Sequence, residues 1–326
     1  MIRVIFLFSI LLHTVFSDEI RPAFLELTQQ SETSYKVLWK KPSQGEVQNP
    51  LKLEPVFPSS TRLKGVKKIS KTGNSILEMY VIEESSALIN KPINIQGLEA
   101  TSSDVLVRIL YLDGETEFIR VLPEDPHFML THKSGFYNMA MTYFILGVEH
   151  ILEGFDHLLF VLALLLLVGN IRVLIWTITA FTLAHTMTLI LSSLDIVYLS
   201  ISAVEAIIAL SIVFVAAEVV YAMRGREYLS KKYPWLIAFG FGLIHGLGFA
   251  EALKEIGLPQ NEIVPSMIFF NIGVEIGQLL FVAAILLFTW IFRSIIIKHR
   301  YIYKTVVAYA IGSIATFWFL ERVLTV

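Results

Sequence analysis

From about Phe136 to its end the chain is a succession of long apolar runs, and no other feature limits its fold as strongly. A run of ~20 residues wound as an α-helix, at ~1.5 Å per residue, covers the ~30 Å hydrocarbon core of a bilayer. Lipid offers no partner for backbone N–H and C=O groups, so these runs must satisfy them internally, as helices. Six segments fit, at about 137–168, 173–194, 198–223, 234–253, 263–292 and 302–324. The first and fifth, at about 30 residues, are long enough to tilt, break or lie partly in the interface. Residues 134–326 are therefore expected to form a membrane all-α bundle of about six transmembrane helices.

The preceding residues differ in kind. Arg3, the short apolar stretch Val4 to Leu12, and the modest side chains of Val15 and Ser17 fit a cleavable signal peptide over 1–17. The competing reading is an uncleaved anchor. Either way Asp18 onward is delivered outside, which we read as the periplasmic side of a bacterial inner membrane. Residues 18–133 alternate with the two-residue rhythm of half-buried strands, as in Tyr35–Trp39 and in Ile76–Ile82 after a Gly73-Asn74 turn. Val105–Tyr111 and Glu117–Leu122 flank Asp113-Gly114, which predicts a type I′ hairpin. Seven or eight strands punctuated by Pro and Gly predict a small antiparallel β-sandwich. Pro123, Pro126 and Thr131–Gly135 read as the linker to the helices, with His127 and His132 as solvated residues of it.

Loop charges orient the bundle. With the β domain outside, Arg172 falls inside, as do Arg224, Arg226, Lys231 and Lys232, then Arg293, Lys298, Arg300 and Lys304. The alternate loops, near Asp195 and from Glu251 to Glu262, fall outside. Basic residues thus collect on one side, as the positive-inside rule requires, and both termini are expected outside.

Net charge is −2 and no basic stripe with interleaved aromatics occurs, which gives no reason to invoke nucleic acid; membrane lipid is the expected surroundings. The chain has no cysteine, so only His and carboxylates remain as metal ligands. Ionisable residues inside spans cost a few kcal/mol each and usually face a polar interior. Here the first span carries Glu149, His150, Glu153, Asp156 and His157. His185, Glu205, Glu218, His245, Asn271, Glu275 and Gln278 follow on later spans. If the first span stays helical, His150 and His157 share one face two turns apart; Gly154 between them marks either close packing or a break. Counting ~1.5 Å per residue puts the histidines, Glu205 and Glu275 in the middle or outer half of the membrane and Glu218 in the cytoplasmic half. One polar cavity would gather them. His150, Asp156, His157, His185, His245, Glu275 and Glu205 are the candidate ligands of a divalent transition metal, with Asn271, Glu218 and Gln278 behind them. A proton pathway is the other functional reading, and the bland alternative to both is a hydrogen-bonded network that only packs helices.

Several stretches resemble the HupE/UreJ family of hydrogenase and urease accessory membrane proteins, in its branch with an extracytoplasmic N-terminal domain. They are His150–Phe160 (HILEGFDHLLF), Phe181–Leu189 (FTLAHTMTL), Val204–Ile212 (VEAIIALSI), Phe241–Ala250 (FGLIHGLGFA) and Phe270–Gln278 (FNIGVEIGQ). Ile20–Phe24 is similar to the start of that branch. The resemblance implies a nickel or cobalt permease-like role. Its His-Pro-x-x-Gly-x-Asp-His motif, regarded as metal-binding, falls on His150, Asp156 and His157, with Ile151 in place of the proline.

Three functions follow as expectations. The first is a permease for a divalent metal, with Ni, Co or Zn as the ion and the β domain capturing or gating outside. The second is a zinc-dependent intramembrane hydrolase with Glu205 or Glu275 as base. The third is a non-catalytic assembly or sensor protein whose β domain binds a periplasmic protein partner.

Overall fold

A computed structural model describes residues 22–42, 52–72, 75–101, 103–132, 136–227, 229–255 and 260–324. The expected signal peptide over 1–17, the Gly73-Asn74 turn and linker residues 133–135 lie outside the described residues.

The strands run β1 Ala23–Gln29, β2 Ser34–Pro42, β3 Glu54–Val56, β4 Arg62–Thr72, β5 Ser75–Glu83, β6 Pro92–Gln96, β7 Val105–Leu110, β8 Thr116–Val121 and β9 His127–Met129. Six form one sheet in the order β4-β5-β2-β1-β7-β8, and β3-β6-β9 form a second. The alternation in the sequence marks these strands because one face of each enters a core. Leu25, Leu27, Val37, Trp39, Val107 and Ile109 of the large sheet share a core with Ile93, Ile95 and Phe128 of the small one.

Three expectations are corrected. The large sheet is mixed, because β1 and β7 pair in parallel. Alternation fixes which face a residue takes but not strand direction, and β7 reaches β1 only after the chain has laid down β3 and β6 of the second sheet. The β7–β8 hairpin is not type I′. Of its turn residues only Gly114 is left-handed, at φ 84°, while Gly114 N–H donates to the Tyr111 carbonyl at 3.1 Å and Tyr111 N–H to that of Glu115 at 3.0 Å. That is a three-residue loop with a glycine bulge. The linker, finally, contains a strand, β9. Glu117 accepts the backbone N–H of Thr131 at 3.2 Å and of His132 at 3.1 Å, anchoring the chain just after β9.

The helices are α1 Phe136–Glu153, α2 Phe155–Leu167, α3 Ile171–Ser193, α4 Ile201–Met223, α5 Pro234–Glu255, α6 Gln260–Ile291, α7 Arg293–Lys298 and α8 Arg300–Leu324. Long apolar parts of α3, α4, α6 and α8 are each sufficient to cross a membrane, and α1 with α2, bent by 73°, makes a fifth crossing if counted as one span. The apolar part of α5 is shorter, Pro234–Gly248. This is the helix content of a multi-pass membrane protein.

The β domain is not a loose appendage. The second face of the large sheet supplies Phe24 and Leu106 to a core shared with Met139, Tyr143 and Ile151 of α1, Leu189 of α3 and Met267, Phe270 and Val274 of α6. Phe118 on β8 meets Tyr143 edge to face, with ring centroids 6.5 Å apart. On that interface Arg120 forks onto Glu149 of α1 at 2.6 and 3.1 Å, while its Nε donates to Asp104 at 2.6 Å.

Candidate metal centre

The centre is built around a broken helix. Gly154 leaves the helical path at φ −75°, ψ 91°. A Cβ there would stand 2.8 Å from the His150 carbonyl oxygen and 3.0 Å from His157 Nδ1, tighter than the turn accommodates. The break read from Gly154 is thus present, and the continuous helix that would have placed His150 and His157 on one face is not. Asp156 opens α2, where a carboxylate is favoured by the helix dipole. Its Oδ1 accepts the His157 backbone N–H at 2.8 Å and lies 2.9 Å from His157 Nδ1. Although they sit on different helices, the His150 and His157 rings are 4.9 Å apart, centroid to centroid.

The other rings arrive on α3 and α5. Side chains at positions 242 and 246 would overlap the carbonyl oxygens of Phe181 and His185, so the two helices touch backbone to backbone. That contact sets the His245 ring 5.3 Å from His157. His245 Nδ1 lies 2.9 Å from the Phe241 carbonyl oxygen. His185 Nδ1 lies 2.8 Å from Asn271 Oδ1, and Asn271 donates its amide to the Met267 carbonyl at 2.8 Å, which aims its oxygen at the ring.

These partners settle the tautomers. Carbonyl, amide and carboxylate oxygens only accept, so Nδ1 of His157, His185 and His245 carries the proton and Nε2 the lone pair. In His185 and His245 that Nε2 is buried and has no hydrogen-bond partner among the described residues. A buried acceptor left open is costly unless something fills it. One ring nitrogen each of His150, His157 and His185 lies within 4.8 Å of the others. Nitrogens bonded tetrahedrally to one ion at ~2.1 Å stand ~3.4 Å apart, so closure by up to ~1.4 Å forms a three-imidazole site. Neutral imidazoles held at Nδ1 by an acceptor fit Ni, Co or Zn.

The remaining candidates fall around this group. Glu275 accepts from Thr179 at 2.6 Å and Gln278 from Thr182 at 3.2 Å, a polar seam between α3 and α6 beside His185. Glu205 on α4 pairs with Arg322 of α8 at 3.5 Å. Buried Glu218 accepts the backbone N–H and hydroxyl of Ser230, both at 2.8 Å, and so ties the end of α4 to the turn before α5. None of these three glutamates belongs to the three-nitrogen group.

Some of the centre escaped the sequence reading. Phe181, Phe160 and Phe270 wall the imidazoles, with centroids 5.0 Å and 5.3 Å from His245 and 5.4 Å from His150 respectively. A signal was available: Phe181 and Phe241 each stand four residues before a membrane histidine. The Phe241 carbonyl left none, being a backbone atom. On the β domain Asp113, Glu115 and His132 also gather, exposed. His132, expected to be a solvated linker residue, stacks on Tyr111 at 4.1 Å and reaches Asp113 at 2.9 Å. The Glu115 backbone N–H, with His132, holds the Asp113 carboxyl below its usual range.

A family model described as HupE / UreJ protein matches residues 127–322, from β9 to the last turns of α8. The chain belongs to the HupE/UreJ family. No curated protein sequence matches it. In this HupE/UreJ protein the matched region holds all four histidines of the centre, Asp156 and Asn271, and leaves β1 to β8 outside.

Proposed function

We propose that the protein binds a divalent transition metal, nickel or cobalt in the first instance and zinc next, and translocates it as cargo. The proposed frame is a bacterial inner membrane crossed six times, with α5 as the sixth span and both termini outside. The observation that carries this reading is the set of open, buried Nε2 atoms on His185 and His245, beside the nitrogens that His150 and His157 bring from the two arms of a broken helix. Family membership and the one-sided distribution of loop Lys and Arg support it. A carrier must also release its ion. Neutral imidazoles with a single adjacent carboxylate, Asp156, suit moderate affinity better than a thiolate cage does.

The hydrolase reading is weaker. It needs a free base beside the metal, and both candidates are engaged: Glu205 by Arg322 and Glu275 by Thr179. The test of transport is metal flux into proteoliposomes holding the full chain. We expect Ni²⁺ or Co²⁺ uptake that His157→Ala and His185→Ala abolish. Absence of uptake for every first-row divalent ion refutes transport, and stoichiometric zinc without flux favours the hydrolase.

A further inference from the structure

One strand of the β domain, β8, grips the chain just after β9 and again near the far end of α1. Before the helix starts, Glu117 accepts the backbone N–H groups of Thr131 and His132. Near its far end Arg120 makes a two-pronged bond to Glu149, the residue immediately before His150. Arg120 is itself braced by Asp104, and its side chain is only 18% exposed, so the bridge is a partly desolvated, charge-assisted fork rather than a surface ion pair. Burial works against the Arg120 charge, but the Glu149 and Asp104 carboxylates more than offset it and hold its pKa above the usual value.

What lies beyond the bridge gives it a purpose. Five residues past Glu149 the helical path breaks at Gly154 and bends by 73°. His150 is on the near side of the break and His157 on the far side. Their separation is therefore set by the angle between α1 and α2; close contact with α6 fixes α1 at its middle, where side chains at 147 and 273 would overlap the carbonyl oxygens of Phe270 and Phe144, and reaches its last turn, where a Cβ at 277 would stand 3.4 Å from Ile151. The last turn of α1, which carries His150, is held from the β domain by Arg120 alone among the described ion pairs.

We propose that Arg120 is a positioning residue for the histidine centre. Through Glu149 it sets the height and rotation of the last turn of α1, and so the approach of His150 to His157 and His185. The β domain is then a structural part of the metal site, acting through Glu149. This rests on the metal-binding reading given above.

Co²⁺ titration of the purified full chain, followed by d–d absorption, tests it. Arg120→Gln should weaken Co²⁺ binding by ~10-fold, the low end for residues that orient a ligand, and should shift the band toward that of His150→Ala. Arg120→Lys, which keeps the charge, should recover part of both. In a His150→Ala background the Arg120→Gln penalty should vanish, because the ligand it orients is gone. Should Arg120→Gln not fold, Glu149→Gln cuts the same bridge from the other side and must give the same result. Co²⁺ binding by the wild type with an unchanged affinity and spectrum in Arg120→Gln overturns the positioning role alone. So does a penalty that persists without His150. A wild type that binds no Co²⁺ overturns the metal reading and this inference with it.

Discussion

Asn271→Leu replaces a buried carboxamide with two methyl groups and should disable a histidine it does not replace. Asn271 Oδ1 is the acceptor for His185 Nδ1, at 2.8 Å, and His185 is fully buried. Leucine has the same number and branching of heavy atoms and no acceptor. The ring then has two options, both poor. It can keep its proton on Nδ1 as an unsatisfied buried donor, costing ~1–3 kcal/mol in the metal-free protein. It can move the proton to Nε2, which removes the lone pair a metal needs. Residues that orient a ligand in this way are typically worth ~10–100-fold in metal affinity, or ~1.4–2.7 kcal/mol. Asn271→Leu should therefore bind Co²⁺ at least ~10-fold more weakly than wild type, approaching His185→Ala. Asn271→Asp keeps an acceptor and should retain most of the affinity. The measurement is a Co²⁺ titration by absorption, with thermal unfolding of the metal-free proteins alongside. An Asn271→Leu protein that binds as wild type while His185→Ala does not would show that Asn271 does not set the tautomer.

Two further outcomes concern packing and pH. Gly246→Ala forces a methyl group onto the His185 carbonyl oxygen and should cost ~1–3 kcal/mol or more together with metal binding, whereas Gly240→Ala, with nothing within 4 Å, should be neutral or slightly stabilising in thermal melts. Equal effects from the two refute the backbone-contact account. In the β domain, burial raises the Glu84 carboxyl, but donors including the Thr61 hydroxyl and the Ser85 N–H outweigh it and hold the group at about 2, below its ordinary 4.5. A depressed carboxyl stabilises the fold fully above the unfolded value and loses that contribution as pH falls from 4.5 toward 2. Melting temperature should drop over that window in the wild type and less steeply in Glu84→Gln; identical slopes refute it.

The helices were the legible part, and physical chemistry explains why. A span must be long and apolar, so its limits are written residue by residue, and α3, from 171 to 193, was anticipated as 173–194. The histidines were legible for the converse reason: a polar group is conspicuous where lipid penalises it, and four of them on three segments pointed to one meeting place. Gly154 was read correctly as an alternative, since a glycine between two polar clusters admits a break but does not require one. The β domain was less legible. Alternation announces a strand and its buried face without naming its neighbour, which hid the β1–β7 pairing. It hid the second interface too: Phe24, Leu106 and Phe118 look like ordinary alternation until the face opposite Leu25 and Val107 is found to be covered as well. Arg120 had one overlooked sign, a guanidinium in a strand next to Ile119 and Val121 with Phe118 on its own face. The glutamates separated for a reason no spacing encodes. Glu205 and Glu218 found partners in Arg322 and Ser230, more than 10 positions away along the chain.

The sheet that is roofed on one side by three strands and floored on the other by α1, α3 and α6 has a practical implication for anyone wishing to divide this chain. The stretch matched by the family begins at His127, inside β9, so cutting there would take away the floor's covering along with the upper sheet. Met139, Tyr143 and Met267 would lose that cover, and Glu149 its cation. Protease nicks in the exposed loops of the β domain should accordingly yield fragments that stay together until detergent or denaturant parts them. The β domain belongs to the foundation of this molecule rather than to its decoration.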